Sequence, residues 1–298
     1  MMIKKIGSKL WDSYYNNYKK LVIIPFLLLI FFGSVMIYRE TTTTHTLNKD
    51  ISLKGGIHFT IFTNKTLQNL EQELINNFNN NDITIRTLTN TNGKIVGYEV
   101  TVGAQINKTQ IISFLEDNYN LTITNNNFSY GKQSNTLGAT FFNNVMVVLA
   151  ISFVLMGIGI FFYFRNLIPA FSIVFSTFSD VVCILGVFSL FGIKISAASF
   201  GALLMIIGYS TDSDILLATN VIRRKDKPLK ERMLRALKTE LTQDAAALVA
   251  FGSMFIFANI QIIRDVAFVL LIGIVFDFIN TWLGNATLQR LYLERSKK

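Results

Sequence analysis

The sequence predicts a mainly α, polytopic membrane bundle of six transmembrane helices carrying one α+β, ferredoxin-like extracytoplasmic domain. Three observations predict it. Apolar residues collect in runs long enough to cross a bilayer, with short connectors between them. The basic residues sit in connectors that would all lie on one side. One polar block, residues 39–140, interrupts the apolar character after the first run.

Taken in order, residues 1–20 form a basic cytoplasmic segment in which Trp11, Tyr14, Tyr15 and Tyr18 fall at i, i+3, i+4 and i+7, a stripe suited to a helix lying on the membrane surface. Residues 21–38 are the first span. The run is longer than a signal-peptide core, and Tyr38-Arg39-Glu40-Thr41 follows it where a small-residue cleavage site would stand, so a retained anchor is expected. Within 39–140, alternation at Ile57, Phe59 and Ile61 predicts a strand. Leu67, Leu70, Leu74 and Phe78 mark a helix face, and Ile83/Ile85 and Val96–Val102 mark two strands joined through Asn92-Gly93. Ile111, Ile112 and Leu115 mark a second helix, and a last strand is expected near Leu121–Ile123. That βαββαβ order is the ferredoxin-like one.

Residues 141–290 hold five more spans, at 145–164, 167–191, 195–221, 245–263 and 266–288, with a basic loop at 223–241; a short tail, 291–298, follows. The net charge of +9 does not indicate nucleic acid. Residues 39–139 balance eight Lys/Arg against eight Asp/Glu, whereas Arg223 to Lys238 alone holds eight basic residues. With a basic N-terminus inside, six spans place Arg165, this loop and the tail on the cytoplasmic side, and the near-neutral connectors outside.

Enzyme chemistry finds no support. The sequence contains no Walker A loop, HExxH, GxSxG or CxxC, and its two histidines, His45 and His58, are not spaced as metal ligands. No cofactor and no metal is expected, and Cys183 has no second cysteine to pair with. Gly55-Gly56 reads as a turn before a strand. The four Asn-X-Ser/Thr sequons, at Asn64, Asn107, Asn120 and Asn127, are what so Asn-rich a segment produces by chance.

The informative residues are acids inside the apolar runs: Asp180, Asp212, Asp214 and Asp277. At ~1.5 Å per residue, Asp180 stands roughly 20 Å above the cytoplasmic helix end, Asp212 roughly 15 Å and Asp277 roughly 18 Å. Three helices therefore bring a carboxylate to about one level. Asp212 and Asp214 lie about 200° apart around their helix and cannot face the same neighbour. A membrane carboxylate costs a few kcal/mol, so it is paired, protonated or set on a polar path. No Lys or Arg lies within these runs, which favours protonatable acids over salt bridges. The alternative is structural: Ser176, Thr177, Ser210 and Asn280 would satisfy the acids and fix packing. Asp244 and Asp265, at span ends, read as ordinary cap residues.

These residues carry a resemblance. One span, a large βαββαβ-like loop and five spans is the layout of half an RND-type transporter. Gly208-Tyr209-Ser210-Thr211-Asp212-Ser213-Asp214-Ile215-Leu216-Leu217 is similar to the Gly-Tyr-Ser motif of the SecD/SecF family of protein-export membrane proteins, in the archaeal version of its SecF branch. Ser179-Asp180 to Gly192 resembles the segment whose aspartate the family assigns to an ion relay, and Ser52-Leu53-Lys54-Gly55-Gly56 resembles its Gly-Gly motif. Asp212 and Ser213 stand where bacterial members have Asn-Asp, Asn220 stands where a basic residue is expected, and Ser52 stands in place of Asp. The resemblance implies an ion relay through Asp180; the departures leave its second residue open, and Asp212, Asp214 and Asp277 are the candidates by their place within the spans. It also implies a complex with SecD beside the Sec translocon channel in the cell membrane, both termini cytoplasmic, promoting translocation of the preprotein with an ion (proton) gradient. Membrane lipids would surround it, and no nucleic acid partner is implied. A six-span half lacks its symmetry mate, so a partner is expected on physical grounds too. The rival readings are an independent RND-like efflux or lipid exporter working as a homo-oligomer, and a passive scaffold subunit.

Overall fold

The computed structural model describes residues 2–42, 47–67, 69–78, 83–90, 94–102, 106–133, 135–258 and 260–295. His45 and the Asn92-Gly93 turn lie outside the described residues. The chain divides into two compact units, Met1–Asn48 with Val147–Lys298, and Lys49–Met146.

The chain's three prolines, Pro25, Pro169 and Pro228, all stand at helix starts. Pro25 has no N–H to give the Leu21 carbonyl, so α1 (Met2–Leu21) stops and α2 (Ile23–Thr42) begins after Val22. Pro169 occupies the first turn of α7 (Leu167–Phe191), where its missing donor is not needed; Asn166 caps that turn by accepting from Ile168 N at 3.0 Å. Gly192, at φ 66, ends α7 in the left-handed conformation, with Ile193 N bonded to Phe188 O at 2.9 Å. Ser196 then opens α8 (Ala197–Ala218) with a capping box to Ser199. Pro228 opens α9 (Leu229–Phe257), so most of the segment read as a basic loop is helix and runs unbroken into the expected fifth span.

α7 is the central helix. α2, α8 and α10 (Gln261–Ile279) all pack on it, and α9 packs on α10. Close approach is local: a Cβ on Gly186 of α7 would lie 2.4 Å from Phe32 Cβ of α2, so glycine is what lets the Phe32 ring reach Phe276. Four described helices are long and apolar enough to cross a membrane: Ile23–Thr42, Thr140–Phe164 within α6 (Asn135–Phe164), Leu167–Phe191 and Ala197–Arg223. α9 begins with charged turns, and α10 carries Arg264, Asp265 and Asp277. Large apolar side chains face outward along α2, α6 and α7, among them Leu27, Ile30, Leu155, Phe162 and Phe171. So wide an apolar surface is unsuited to water and suited to lipid or a partner helix.

Two helices end in π turns, Thr219–Arg223 after α8 and Asn280–Asn285 after α10; the second leads into α11 (Ala286–Arg295). Arg232, buried although it lies in the basic segment, closes the first by donating from Nη1 to the carbonyls of Asn220 (2.8 Å), Val221 (3.0 Å) and Arg224. The aromatic stripe of α1 does not face outward as the surface-helix reading had it. Trp11 and Tyr18 are buried against the bundle, Tyr14 Oη donates to Trp282 O at 2.6 Å, and the Arg290 guanidinium lies over the Tyr15 and Tyr18 rings. The rings find a better partner in the bundle: a second tryptophan and a fixed cation.

The second unit runs through α3 (Ile51–Lys54), β1 (Gly56–Ile61), α4 (Leu70–Phe78), β2 (Ile83–Thr89), β3 (Ile95–Val102), α5 (Lys108–Tyr119) and β4 (Phe128–Gln133). Its sheet has the order β2-β3-β1-β4, every pair antiparallel. Inward residues Ile57, Phe59, Ile61, Val100 and Val102 meet Leu74, Ile111 and Leu115 of the two helices. The last strand is not at Leu121–Ile123. Asn120 takes the left-handed conformation at the end of α5, Leu121 fills the core as coil, and the alternation that pairs with β1 is Phe128/Tyr130. Gly55, at φ 79, and Gly56 turn the chain into β1.

Candidate ion-relay site

Three carboxylates meet inside the bundle, and the second π turn joins them. Asp180 of α7 accepts from Ser210 Oγ of α8 at 2.7 Å on one oxygen and from Asn280 Nδ2 at 2.6 Å on the other. Asp214 of α8 accepts on Oδ1 from Thr281 Oγ1 (2.8 Å) and Asn285 Nδ2 (2.6 Å). Asp277 of α10 accepts from the same Thr281 hydroxyl at 3.2 Å. All three acids are wholly buried. One hydroxyl hydrogen serves two carboxylates, so Thr281 bonds fully to only one at a time. Gln289 Nε2 donates to Asn285 Oδ1 at 2.7 Å, which fixes the Asn285 amide with its N–H toward Asp214.

The π turn makes this possible. In an α-helix, Asn285 would lie about 140° around from Asn280. Bonds closed five residues apart bring the later side chain back towards the earlier one. Asn280 thereby reaches α7 while Thr281 and Asn285 reach α8.

Among the described residues no ion pair reaches these acids, and no group of three His, Cys, Asp or Glu is arranged to hold a metal. Oδ2 of Asp214 and of Asp277 has no hydrogen-bond partner there. Two acceptors left open beside a shared donor can take or release a proton without dismantling the packing.

The Gly-Tyr-Ser motif divides its work. Ser210 serves Asp180, whereas Tyr209 Oη donates to Asp244 Oδ1 of α9 at 2.8 Å. Gly208 lies exposed, with open space where a Cβ would stand. Asp212 is not brought to the cluster. It lies exposed on the opposite face of α8, in a stripe with Gly201, Met205 and Gly208 at i, i+4, i+7 and i+11. Gly55 and Gly56 belong to the other unit. Asp244, read as a span-end residue, is buried in the middle of α9, which continues through the expected boundary. Thr281, Asn285, Gln289 and the wholly buried Glu240 were not singled out from sequence. The signal lay in amides and a hydroxyl recurring inside an apolar run, at 280, 281, 285 and 289.

Comparison with known proteins places the chain. The family model described as "Protein export membrane protein SecD/SecF, C-terminal" matches residues 110–295. The chain is 31% identical to the protein-export membrane protein SecF of Pyrococcus furiosus, covering 93% of this chain and 92% of that protein. Against SecF of Methanothermobacter thermautotrophicus it is again 31% identical, with 95% of each covered. Among solved structures, a Thermus SecDF, described as a translocon-associated membrane protein, superposes with a TM-score of 0.69 at 16% identity over 96% of this chain. SecDF in its super-membrane-facing form superposes with a TM-score of 0.61 at 15% identity over 95% of it. The chain spans 38% and 39% of those two longer chains, and the likeness at this identity is one of fold. The chain belongs to the SecD/SecF family of protein-export membrane proteins, in its SecF branch.

Proposed function

We propose that this membrane protein assists Sec-dependent export as the partner of SecD, coupling inward proton movement through Asp180, Asp214 and Asp277 to late stages of preprotein translocation beside the Sec channel. The observation that carries the reading is the joining of three buried carboxylates from three helices through the Asn280–Asn285 π turn, with no cation among them in the described residues. Acids held only to fix packing would be saturated by donors; here Oδ2 of Asp214 and of Asp277 closes no hydrogen bond of good geometry among the described residues, with the Ser176 hydroxyl beside the first and those of Ser210 and Ser213 beside the second.

Six spans with both termini cytoplasmic, and a ferredoxin-like domain at 39–140 outside, complete the reading. The basic clusters support it by meeting at one end of the bundle. Arg223 stacks on Tyr163 with its Cζ 4.2 Å from the ring centre, Asn166 bonds Tyr292, Lys230 pairs with Asp12, and Arg290 lies over the α1 rings. The sheet order β2-β3-β1-β4 is the one a ferredoxin-like domain requires.

The SecD contact falls on the exposed stripe of α8 and the small residues Ala246 and Ala250 of α9. Gly201 and Gly208 let a neighbouring helix approach closely, and a partner that covers Asp212 spares it contact with lipid. The test is purification of the tagged chain from its native membrane, followed by export into vesicles with and without an imposed proton gradient. SecD in stoichiometric amount and a gradient-dependent gain in export are expected. A chain that purifies without SecD, and whose deletion leaves export unchanged, returns the protein to the separate-exporter reading.

A further inference from the structure

We propose that Glu240 of α9 is a further proton carrier of this protein, taking the proton from the aspartate cluster and releasing it at the end of the bundle that holds the basic loop. The inference rests on the relay reading above and extends it to a residue outside the family motifs.

Glu240 is wholly buried, and neither of its oxygens closes a hydrogen bond of good geometry among the described residues; the Trp282 indole N–H is the donor that faces it. A buried carboxyl so poorly provided is disfavoured against an apolar side chain of its size. A position that serves only packing would not need it. Its surroundings are acidic and aromatic: Asp277 of α10, Asp244 one turn on along α9, Asp214 of α8, and beside it Trp282 of the π turn. Tyr14 of α1 and Tyr209 of α8 are its titratable hydroxyl neighbours, and Arg290 of α11 is the cation that reaches Tyr14. Trp282 follows Asp277 by five residues, roughly 7 Å further along the helix axis. Glu240 thus continues the acid series beyond the cluster, on the side where α1 covers the bundle.

That side has the makings of a hydrated outlet. A cavity of about 450 Å³ is bounded by Trp11, Tyr14, Leu237, Phe278 and Trp282. The Trp11 indole N–H is a buried donor without an acceptor, the Trp282 indole N–H faces Glu240, and Leu237, one turn before Glu240 on α9, is the lining residue next to it. The rest of the lining is apolar, so water entering the cavity would be held along its Trp11, Tyr14 and Trp282 edge. The step balances simply. Protonated Asp277 gives its proton to the Glu240 carboxylate, directly or through one water, and becomes a carboxylate. Protonated Glu240 then gives the same proton to cavity water, which carries it out as hydronium to buffer.

The complex purified with SecD and reconstituted into lipid vesicles, under an imposed pH gradient and with a pH-sensitive dye inside, reads the flux directly. Glu240→Gln should lower it about tenfold or more, and Glu240→Asp should restore part of it while shifting its dependence on pH at the outlet side. Glu231→Gln, an exposed change on the same helix, should match the parent. If Asp180→Asn abolishes flux while Glu240→Gln keeps the full rate and the parent pH profile, Glu240 is no carrier and the relay stands without it. If Asp180→Asn keeps full flux, the relay itself falls and this inference with it. Should Glu240→Gln fail to assemble with SecD, Glu240→Asp decides: an unaltered rate and profile overturn the proposal, and a slowed flux with a shifted profile supports it.

Discussion

Replacing Asp180 with asparagine separates chemistry from packing, because the structure contains the means to absorb the change. Asp180 accepts two bonds, from Ser210 Oγ at 2.7 Å and Asn280 Nδ2 at 2.6 Å. Asparagine keeps one acceptor and gains a donor. Ser210 can go on donating to the side-chain oxygen. The Asn280 amide, whose own oxygen is otherwise without a partner, can turn over and accept from the new N–H. Both bonds survive in altered sense, so Asp180→Asn should cost no more than about 1 kcal/mol. Asp180→Leu strands both donors at about 1–3 kcal/mol each and crowds the site besides. At roughly 2–4 °C per kcal/mol for a unit of this size, the Asn variant should melt within a few degrees of the parent and the Leu variant about 5–20 °C lower. Under the relay reading, the same Asn variant loses all gradient-dependent stimulation of export in vesicles while retaining SecD, and Asp180→Glu keeps part of it. Full stimulation by the Asn variant at normal protein level would leave Asp180 a packing residue.

Other consequences can be checked more simply. Lys94 and Lys227 are exposed, and the native Cys183 is wholly buried; Lys94→Cys should react with an impermeant reagent from outside and Lys227→Cys only from inside, so labelling of both from one face would sink the six-span topology. Gly186→Ala sets a methyl 2.4 Å from Phe32 Cβ, where neither helix backbone can yield cheaply; a loss of about 1–3 kcal/mol is expected in thermal melts, and an unchanged melt would show that α2 does not pack there. The chain's two tryptophans, Trp11 and Trp282, lie 6.4 Å apart where α1 docks, so their fluorescence reports that docking. The Tyr18 hydroxyl bond, with Arg290 and Lys19 nearby, holds the Glu294 carboxyl below its usual 4.5, while burial and then Glu294 push Tyr18 up to about 12. A depressed acid stabilises above its unfolded value and a raised phenol below its own. Docking should therefore weaken as pH falls below about 4.5 through the lowered Glu294 value and again as pH rises from 10 towards 12, with Glu294→Gln removing the acid limb; an acid red shift unchanged in that variant would exclude this contact as its cause.

Much of this was legible because bilayers and strands impose short rules. The expected starts at 167 and 195 followed from the apolar runs and fall where Asn166 and Ser196 cap their helices, and the carboxylates stood out because apolar runs seldom carry them. What the sequence concealed depended on the partner each helix chose. The α1 stripe of Trp11, Tyr14, Tyr15 and Tyr18 reads equally as a lipid-facing or a protein-facing surface until Trp282 and Arg290 are placed beside it. Asp212 and Asp214 were known to face apart, but depth alone favoured Asp212, which the structure turns outward with Gly201 and Gly208. The strand at Phe128–Gln133 is weakly apolar, and pairing with β1 rather than composition makes it a strand.

The π turn at Asn280–Asn285 has no sequence signature, yet its position bears on mechanism. A π turn gives up regular i→i−4 bonding and persists where side-chain contacts compensate. Here the compensation comes from the bonds of Asn280, Thr281 and Asn285 to Asp180, Asp277 and Asp214. Those bonds depend on the acids being acceptors. A carboxyl that takes a proton exchanges one acceptor for a donor, and an amide N–H facing it must then turn or part from it. Asn285 cannot turn freely, because Gln289 holds its oxygen at 2.7 Å; Asn280, whose oxygen is unheld, can. Protonation of Asp180 on the oxygen facing Asn280 is therefore absorbed by a flip of one amide; a proton on the open Oδ2 of Asp214 leaves the turn's bonds in place, and one on Oδ1 loosens the turn itself. Trp282 lies within that turn and its carbonyl holds Tyr14 of α1, so a turn that relaxes towards regular α-helix carries the change to the end of the bundle where the basic loop lies. In this arrangement the titration of Asp214 has mechanical consequence where its proton sits on Oδ1, the oxygen that Thr281 and Asn285 hold, and none where it sits on the open Oδ2.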